Sequence, residues 1–166
     1  KYFGGEVDEY QGLENQVDID IENAVQTAIE KYEKDINDCE FSSSLQDIWE
    51  LVHLTNKYID DTAPWTLAKD IEGETAEERT KRIENLKSVM YHLVANLRSI
   101  AILIRPLMEK TSDEIFRQLG LDSFNINWNI LQEYKELKNV KVAEQGTPIF
   151  LRLDSNEAVE YIKENK

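Results

Sequence analysis

Residues 76–108, AEERTKRIENLKSVMYHLVANLRSIAILIRPLM, decide the fold of this chain, because they carry its longest helical pattern. Thr75 and Glu78 match a capping box directly before this stretch. Past Leu97 the apolar residues surround the helix, so its C-terminal half is predicted to be the buried centre of a helical bundle. The apolar stripe recurs at the three-and-four spacing of one helical face: Ile83, Leu86, Met90, Leu93, Leu97, Ile100, Ile104 and Leu107.

Two further amphipathic helices are predicted before this stretch, at residues 18–38 and 41–62. Ser43 and Gln46 match a capping box near the start of the second helix. Trp49 falls beside the apolar stripe of that helix and is predicted to lie in the core. The stripe of the first helix is Ile21, Val25, Ala28, Ile29, Tyr32 and Ile36. The stripe of the second is Phe41, Leu45, Ile48, Val52, Thr55 and Ile59.

The second helix is expected to end near Thr62. The residue before Pro64 is disfavoured in the α region, whereas Pro64 itself suits the first turn of a new short helix. After the long helix, Thr111 and Glu114 are predicted to cap a short helix that Gly120 ends in a left-handed conformation.

The rest of the chain has a weaker pattern. Residues 123–154 show no clean period and are predicted to wrap the bundle, pinned by Trp128 and with a short extended piece at Ile149–Leu153. A last amphipathic helix is predicted from Ser155. Its inward-facing residues would be Ala158, Tyr161 and Ile162.

These elements predict an all-α antiparallel helical bundle with a partly irregular C-terminal appendage that ends in a helix. The length of 166 residues suits a single domain, 1–166. Its helical core would cover about residues 16–122 and its wrapping appendage residues 123–166. Because the chain starts at Lys1 without Met, we expect it to be part of a longer protein.

The composition limits what the whole surface can bind. The chain has 33 acidic and 19 basic residues, a formal net charge of −14, which disfavours phosphate-backbone binding by the surface at large. Any nucleic-acid contact must therefore be a small site that does not depend on net charge. A single cysteine, Cys39, suits a reducing, cytoplasmic location, and the longest apolar run, Ile100–Ile104, is too short to span a membrane.

Most catalytic signatures are absent from the sequence. It lacks GxGxxG, GxxxxGK[ST], GxSxG and HExxH motifs. Glu50 and His53 form a Glu-x-x-His pair, which is half of a di-iron carboxylate pattern, but the other histidine, His92, has no matching glutamate. We therefore interpret His53 as an ordinary helix residue and predict no metal site and no catalytic residue in this chain.

One aromatic residue lies in an unusual place. Trp65 follows Pro64 at a predicted helix junction, with Asp60, Asp61 and Lys69 as neighbours. A half-exposed tryptophan at such a junction can be a stacking platform for an unpaired base. It can also be a plug for the end of the bundle, which is the more common arrangement. The spacing alone leaves both interpretations open.

The stretch NKYIDDTAPWTLAK, residues 56–69, resembles the anticodon-binding domain of class I aminoacyl-tRNA synthetases, specifically the bacterial type of methionyl-tRNA synthetase. KYFGG at residues 1–5 resembles the end of that domain's first helix, and Glu40-Phe41 resembles a later helix start. RPLM at 105–108 and PIFLRLD at 148–154 are similar to other family segments in the same order.

The resemblance implies a function and a site. The parent enzyme would use ATP to join methionine to its tRNA, with a zinc site possible in its catalytic domain, and this domain would recognise the CAU anticodon of tRNA-Met. By the same resemblance, Trp65 stacks on an anticodon base, Pro64 shapes the turn, and Lys69 supports the site or meets the RNA backbone. The family's other anticodon readers, an Asn and an Arg, lie upstream of the segment that matches Lys1.

The implied partners are the anticodon loop of tRNA-Met and the catalytic domain of the same parent chain. Without that catalytic domain, the chain is expected to be inactive alone and to hold no cofactor. Two alternatives stay open at this point. One is the anticodon-binding domain of the valine, isoleucine, leucine or cysteine enzyme. The other is an acidic helical protein–protein interaction module, which predicts a contiguous apolar patch on the surface.

Overall fold

The structure is a computed structural model that describes residues 2–12, 15–123, 126–150 and 154–164, without the side chains of 156–158. The α-helices are α1 Gln16–Asn37, α2 Phe41–Thr62, α3 Pro64–Leu67, α4 Ala76–Ile104, α5 Glu109–Leu119 and α6 Ser155–Glu164. Short 3₁₀ turns lie at Tyr2–Gly5, Trp128–Leu131 and Tyr134–Glu136. Two strands, β1 Glu6–Val7 and β2 Val140–Lys141, pair antiparallel. The predicted all-α bundle is confirmed.

Helix α4 is the centre of the bundle and contacts α1, α2, α3 and α5. Every residue from Arg98 to Ile104 is buried, as the all-round apolar pattern predicts. The capping box of Thr75 and Glu78 is also confirmed. The helix ends four residues earlier than the predicted Met108, because Pro106 has no N–H to continue the hydrogen-bond ladder.

The other two predicted capping boxes are wrong. Helix α2 begins at Phe41, and the Ser44 hydroxyl donates to the Phe41 carbonyl at 2.9 Å instead of a Ser43–Gln46 box forming. Helix α5 begins at Glu109, which places Thr111 and Glu114 inside the helix. Serine and threonine also occur within helices, so the short pattern specifies a helix start only weakly.

The core face of α2 is rotated by about one residue from the predicted stripe. Its buried residues are Ser44, Ile48, Leu51, Thr55 and Tyr58. Phe41 is exposed, and Trp49 is 49% exposed, so the prediction of a core Trp49 is wrong. The apolar surface of α2 is wider than the face that the core requires, so its excess apolar residues remain near the surface.

The chain after α5 is attached to α4 by a regular series of short turns. The Tyr91 hydroxyl donates to the Tyr134 carbonyl at 2.9 Å, and Arg98 Nη2 donates to the Glu133 carbonyl at 2.7 Å. Trp128 stacks on Tyr32 with ring centroids 5.9 Å apart, which confirms its predicted pinning role. Every third residue is buried, as in 3₁₀ turns: Leu131, Tyr134, Leu137 and Val140.

The end of the chain differs from its prediction in two ways. Helix α6 begins at Ser155 as predicted, but Tyr161 and Ile162 are exposed, so their predicted inward orientation is wrong. The side chain of Ala158 lies outside the described residues. So do residues 151–153 of the predicted extended piece, and Ile149–Phe150 form no strand.

Gly120 ends α5 in the left-handed conformation, φ 68°, as predicted. A β-carbon at this position would also overlap the Lys141 carbonyl oxygen. This close approach brings the turn after α5 against strand β2. Within the described ranges, the helices are too short or too polar to cross a lipid bilayer.

Candidate nucleic-acid interface

A single residue in the left-handed conformation forms the junction between α2 and α3. Ala63 has φ 42° and ψ 59°, in the left-handed region. Its N–H donates to the Ile59 carbonyl at 3.0 Å, and its own carbonyl accepts from the Thr66 N–H at 2.7 Å. Pro64 then occupies the first turn of α3, where its missing N–H leaves no bond unmade. The sequence prediction of this junction is confirmed.

The junction separates the two sides of α3. Pro64 is buried, whereas Trp65 is 48% exposed. On the inner side, Leu67 packs against a small apolar cluster that contains Ile21, Tyr58 and Val89. Trp65 is therefore a half-exposed side chain on a short helix whose inner side is attached through Pro64 and Leu67.

Lys69 lies just beyond α3, because the helix ends at Leu67. Its N–H still donates to the Thr66 carbonyl at 3.2 Å, and its side chain is exposed. Exposed residues of both charges surround the junction: Lys57, Asp60, Asp61, Lys69 and Asp70. This mixed surface has no basic excess that would attract a phosphate chain by charge alone.

A buried ion pair lies at the far end of α3. Arg82 Nε and Nη2 donate to the two carboxylate oxygens of Glu74 at 2.7 and 2.8 Å, and Arg82 Nη1 donates to the Leu67 carbonyl. The side chains of Arg82 and Glu74 are only 10% and 9% exposed. The guanidinium holds the pKa of Glu74 below its ordinary value, and the carboxylate raises the pKa of Arg82.

A second buried polar group fixes the end of α2 to the rest of the bundle. Asp18 on α1 is fully buried. The Tyr58 hydroxyl donates to its Oδ1 at 2.6 Å, and the Ser88 hydroxyl donates to its Oδ2 at 2.9 Å. Burial, together with the hydrogen bond to Asp18, raises the pKa of Tyr58. One carboxylate thus joins α1, α2 and α4 one turn before the junction.

Arg82, Glu74 and Asp18 were not predicted from the sequence, although a signal was present for two of them. Arg82 lies four residues before Leu86 on the buried face of α4, and Asp18 lies three residues before Ile21 on that of α1. A charged residue at a core position predicts a buried partner, because an unpaired buried charge is very costly. The identity of the partner is not visible in the local pattern.

The pair of Glu50 and His53 lies on the exposed side of α2. Among the residues that the structure describes, no group of three or more His, Cys, Asp or Glu side chains is arranged to hold a metal ion.

A second surface of different character lies between α2, α4 and α5, and we call it the apolar groove. It is a cavity of about 300 Å³. Thr55, Asn56 and Thr111 are its polar lining residues. Its apolar lining residues are Trp49, Val52, Ile59, Leu93, Leu97, Ile100, Ile104, Ile115, Ile149 and Phe150.

Residues 10–164 match the family model described as the anticodon binding domain of methionyl tRNA ligase. The methionine–tRNA ligase of Bacillus subtilis is 39% identical over 164 residues, which cover 98% of this chain and 23% of that protein. The methionine–tRNA ligase of Listeria innocua is 42% identical over 166 residues, which cover 99% of this chain and 24% of that protein. The chain thus spans less than a quarter of the length of these relatives.

The fold has solved counterparts. The free form of Mycobacterium tuberculosis methionyl-tRNA synthetase superposes with a TM-score of 0.74 at 20% identity, over 90% of this chain and 28% of that one. Its methionyl-adenylate complex gives a TM-score of 0.71. Among the class I synthetases that the sequence left open, the matches favour the methionine enzyme. The chain belongs to the family of anticodon-binding domains of methionyl tRNA ligase.

Proposed function

We propose that this chain recognises the CAU anticodon of tRNA-Met by stacking an unpaired anticodon base on Trp65. The observation that carries the proposal is a half-exposed indole on a turn whose backbone is fixed on both sides. Proteins read single-stranded RNA loops by such stacking on aromatic side chains. Family membership supports an RNA anticodon as the ligand.

The other two site residues have supporting roles. Pro64 sets the direction in which α3 leaves the junction and therefore where Trp65 points. The exposed ammonium of Lys69 can reach a phosphate next to the stacked base. Stacking needs no basic surroundings, which makes the site compatible with a net charge of −14.

The chain would act within a longer methionine–tRNA ligase in the cytoplasm. The lengths of the relatives support this proposal, since they extend far beyond the matched region. ATP, any zinc ion and the ligase reaction belong to the catalytic domain of that longer enzyme, so this chain alone would bind tRNA without charging it.

The test is a titration with an RNA stem-loop that carries CAU, at a stated low salt concentration, using this chain and a form extended upstream by one helix. Stacking contributes roughly 1–3 kcal/mol per base, so Trp65→Ala is expected to weaken binding about fivefold to 150-fold. Trp49→Ala is the matched control, because Trp49 is exposed to the same degree on another surface. Equal affinities of wild type and Trp65→Ala would exclude the stacking role.

The apolar groove favours a second, additional function as a protein contact surface. A contiguous apolar surface is the feature that the interaction-module alternative predicts, and Trp49 and Phe150 are exposed at this one. We propose that its occupant is another part of the same longer ligase. Collisional quenching of Trp49 fluorescence should then be weaker in the full-length ligase than in this chain, and equal quenching would contradict the proposal.

A further inference from the structure

We propose that Arg82 is a positioning residue for Trp65: its bridge between Glu74 and the Leu67 carbonyl holds α3 in the orientation that presents the indole to RNA. The inference rests on the proposed stacking function and adds to it a residue on a different helix. Arg82 itself is buried, so its proposed role is to position Trp65 and not to contact RNA.

Helix α3 depends on tertiary contacts for its orientation. It has only four residues, and isolated helices of this length are not stable in water. The chain after it, residues 68–75, has no regular structure before α4 begins. Pro64 and Leu67 anchor the inner side of α3, and the backbone hydrogen bonds of Ala63 fix its start, but these contacts do not fix the C-terminal end of the helix.

The Arg82 bridge supplies the missing directional restraint. A carbonyl at the end of a helix lacks an intrahelical donor, and Arg82 Nη1 donates to that of Leu67, two residues after Trp65. The other guanidinium nitrogens bind both oxygens of Glu74, which fixes the plane of the guanidinium. Three bonds from one rigid group thereby connect α3, the following loop and α4.

The neighbouring ion pair lacks these features. Arg79 Nη2 lies 3.5 Å from Asp70 Oδ1, and the two side chains are 65% and 92% exposed. Exposed pairs of this kind contribute little to stability. Of these two pairs, only that of Arg82 is both buried and joined to the backbone of α3.

Fixing the platform in advance should strengthen RNA binding, because a free side chain or loop loses conformational entropy when it becomes ordered on binding. Without the bridge, Trp65 would still be present and exposed, but its orientation would be spread over more conformations. The expected loss of affinity therefore requires an intact Trp65.

The first measurement needs no RNA. Trp49→Phe and Trp128→Phe leave Trp65 as the single tryptophan, and time-resolved fluorescence anisotropy then reports its local motion. The bridge is removed by Arg82→Met with Glu74→Leu, which leaves neither charge buried without a partner. We expect faster and wider motion of the indole, with the far-ultraviolet circular dichroism unchanged. Unchanged anisotropy would overturn the inference.

The second measurement is a double-mutant cycle on affinity for the CAU stem-loop. Removing the bridge should weaken binding about three- to tenfold in the wild-type background and have no further effect in the Trp65→Ala background. Equal losses in the two backgrounds, or no loss in either, would overturn the inference. If Trp65→Ala alone binds as tightly as wild type, the proposed function fails, and the anisotropy result still tests the restraint itself.

A matched control is available on α5. Arg117 makes the same two-point contact with Glu114, Nε at 2.7 Å and Nη2 at 2.6 Å, on an exposed surface. Arg117→Met with Glu114→Leu removes the same charges and should change neither the anisotropy of Trp65 nor the RNA affinity. A change as large as that caused by removing the Arg82 bridge would mean that the loss of any arginine–glutamate pair has this effect, and would overturn the inference.

Discussion

Trp49 and Trp65 are exposed to almost the same degree, 49% and 48%, yet their surroundings differ completely. Trp49 lies on the regular face of α2 at the edge of the apolar groove. Trp65 lies on α3 directly after the junction at Ala63, which is fixed by backbone hydrogen bonds, and the buried polar groups Asp18 and Arg82 lie on the neighbouring helices α1 and α4. The comparison shows that exposure alone does not identify a recognition site. The buried polar contacts around the α2–α3 junction are the feature that sets Trp65 apart from Trp49, and the proposal that Trp65 is a stacking platform rests on them.

The largest effect should follow from removing the buried carboxylate near the junction. Asp18→Leu removes the acceptor that the buried hydroxyl groups of Tyr58 and Ser88 share and breaks both hydrogen bonds, which should lower the free energy of unfolding by about 3 kcal/mol. Urea denaturation measures this change. Asp20→Leu removes the same charge from an exposed position of α1 and should stay within about 0.5 kcal/mol of wild type. Equal losses of unfolding free energy for both variants would show that the buried hydrogen bonds of Asp18 contribute no extra stability.

A smaller change in the free energy of unfolding, and an increase this time, is expected at Ala63 in the junction between α2 and α3. Ala63 is an alanine in the left-handed region, which costs roughly 1–2 kcal/mol, whereas glycine adopts this conformation freely. The flexibility of glycine in the unfolded chain offsets part of the gain. Ala63→Gly should therefore raise the free energy of unfolding by up to about 1 kcal/mol. A loss of stability in urea denaturation would show that Ala63 is not strained.

The elements that the sequence predicts well are those with a strong local signal. The all-round apolar half of α4, the capping box of Thr75 and the stop before Pro64 depend on residues within one or two turns of each other. The core face of α2 was misplaced because its apolar residues cover two adjacent surfaces. Local periodicity does not show which of the two will face the bundle.

The same distinction between local and long-range signals applies to the candidate site. The position of Trp65 on a helix junction was predictable from Pro64, and its proposed role rests on the family resemblance. The restraints behind it were not predictable, because Tyr58 and Ser88 reach Asp18 across 40 and 70 residues of sequence. The chain from Leu131 to Val140 was predicted only as irregular, because burial at every third residue follows neither the 3.6-residue period of an α-helix nor the alternation of a strand.

RNA binding at the junction should depend only weakly on salt concentration. If the CAU stem-loop binds mainly by stacking, log affinity should fall only weakly with log salt concentration. One phosphate contact by Lys69 would contribute a slope of about −0.7 for a single strand. Lys69→Ala should then remove that part of the slope and weaken binding about two- to threefold at low salt. An unchanged slope would exclude the phosphate contact, and Lys110→Ala on α5 is the charge-matched control.

The smallest effect is expected at acid pH on the groove side. Hydrogen bonds from Arg117, Gln118 and Thr147 lower the pKa of Glu114 to about 2, and the Thr147 hydroxyl lies 2.9 Å from Glu114 Oε1. Because the folded-state pKa is below the ordinary value of 4.5, this contribution is complete above that pH and is lost as the pH falls towards 2. Thr147 lies close in sequence to Phe150, which lines the groove beside Trp49.

Acidification through this window should therefore loosen residues 147–150 and shift the emission of Trp49, measured in a chain where Trp65 and Trp128 are replaced by Phe. Glu114→Gln should lack this component, whereas Glu160→Gln on α6 should retain it. Solvent screens the exposed pair of Arg117 and Glu114, so the shift should be modest and should decrease in high salt. Identical pH profiles for wild type and Glu114→Gln would show that the contact between Glu114 and Thr147 does not affect the surroundings of Trp49. The support of Trp49 would then consist of apolar packing alone, in contrast to the polar restraints that hold Trp65.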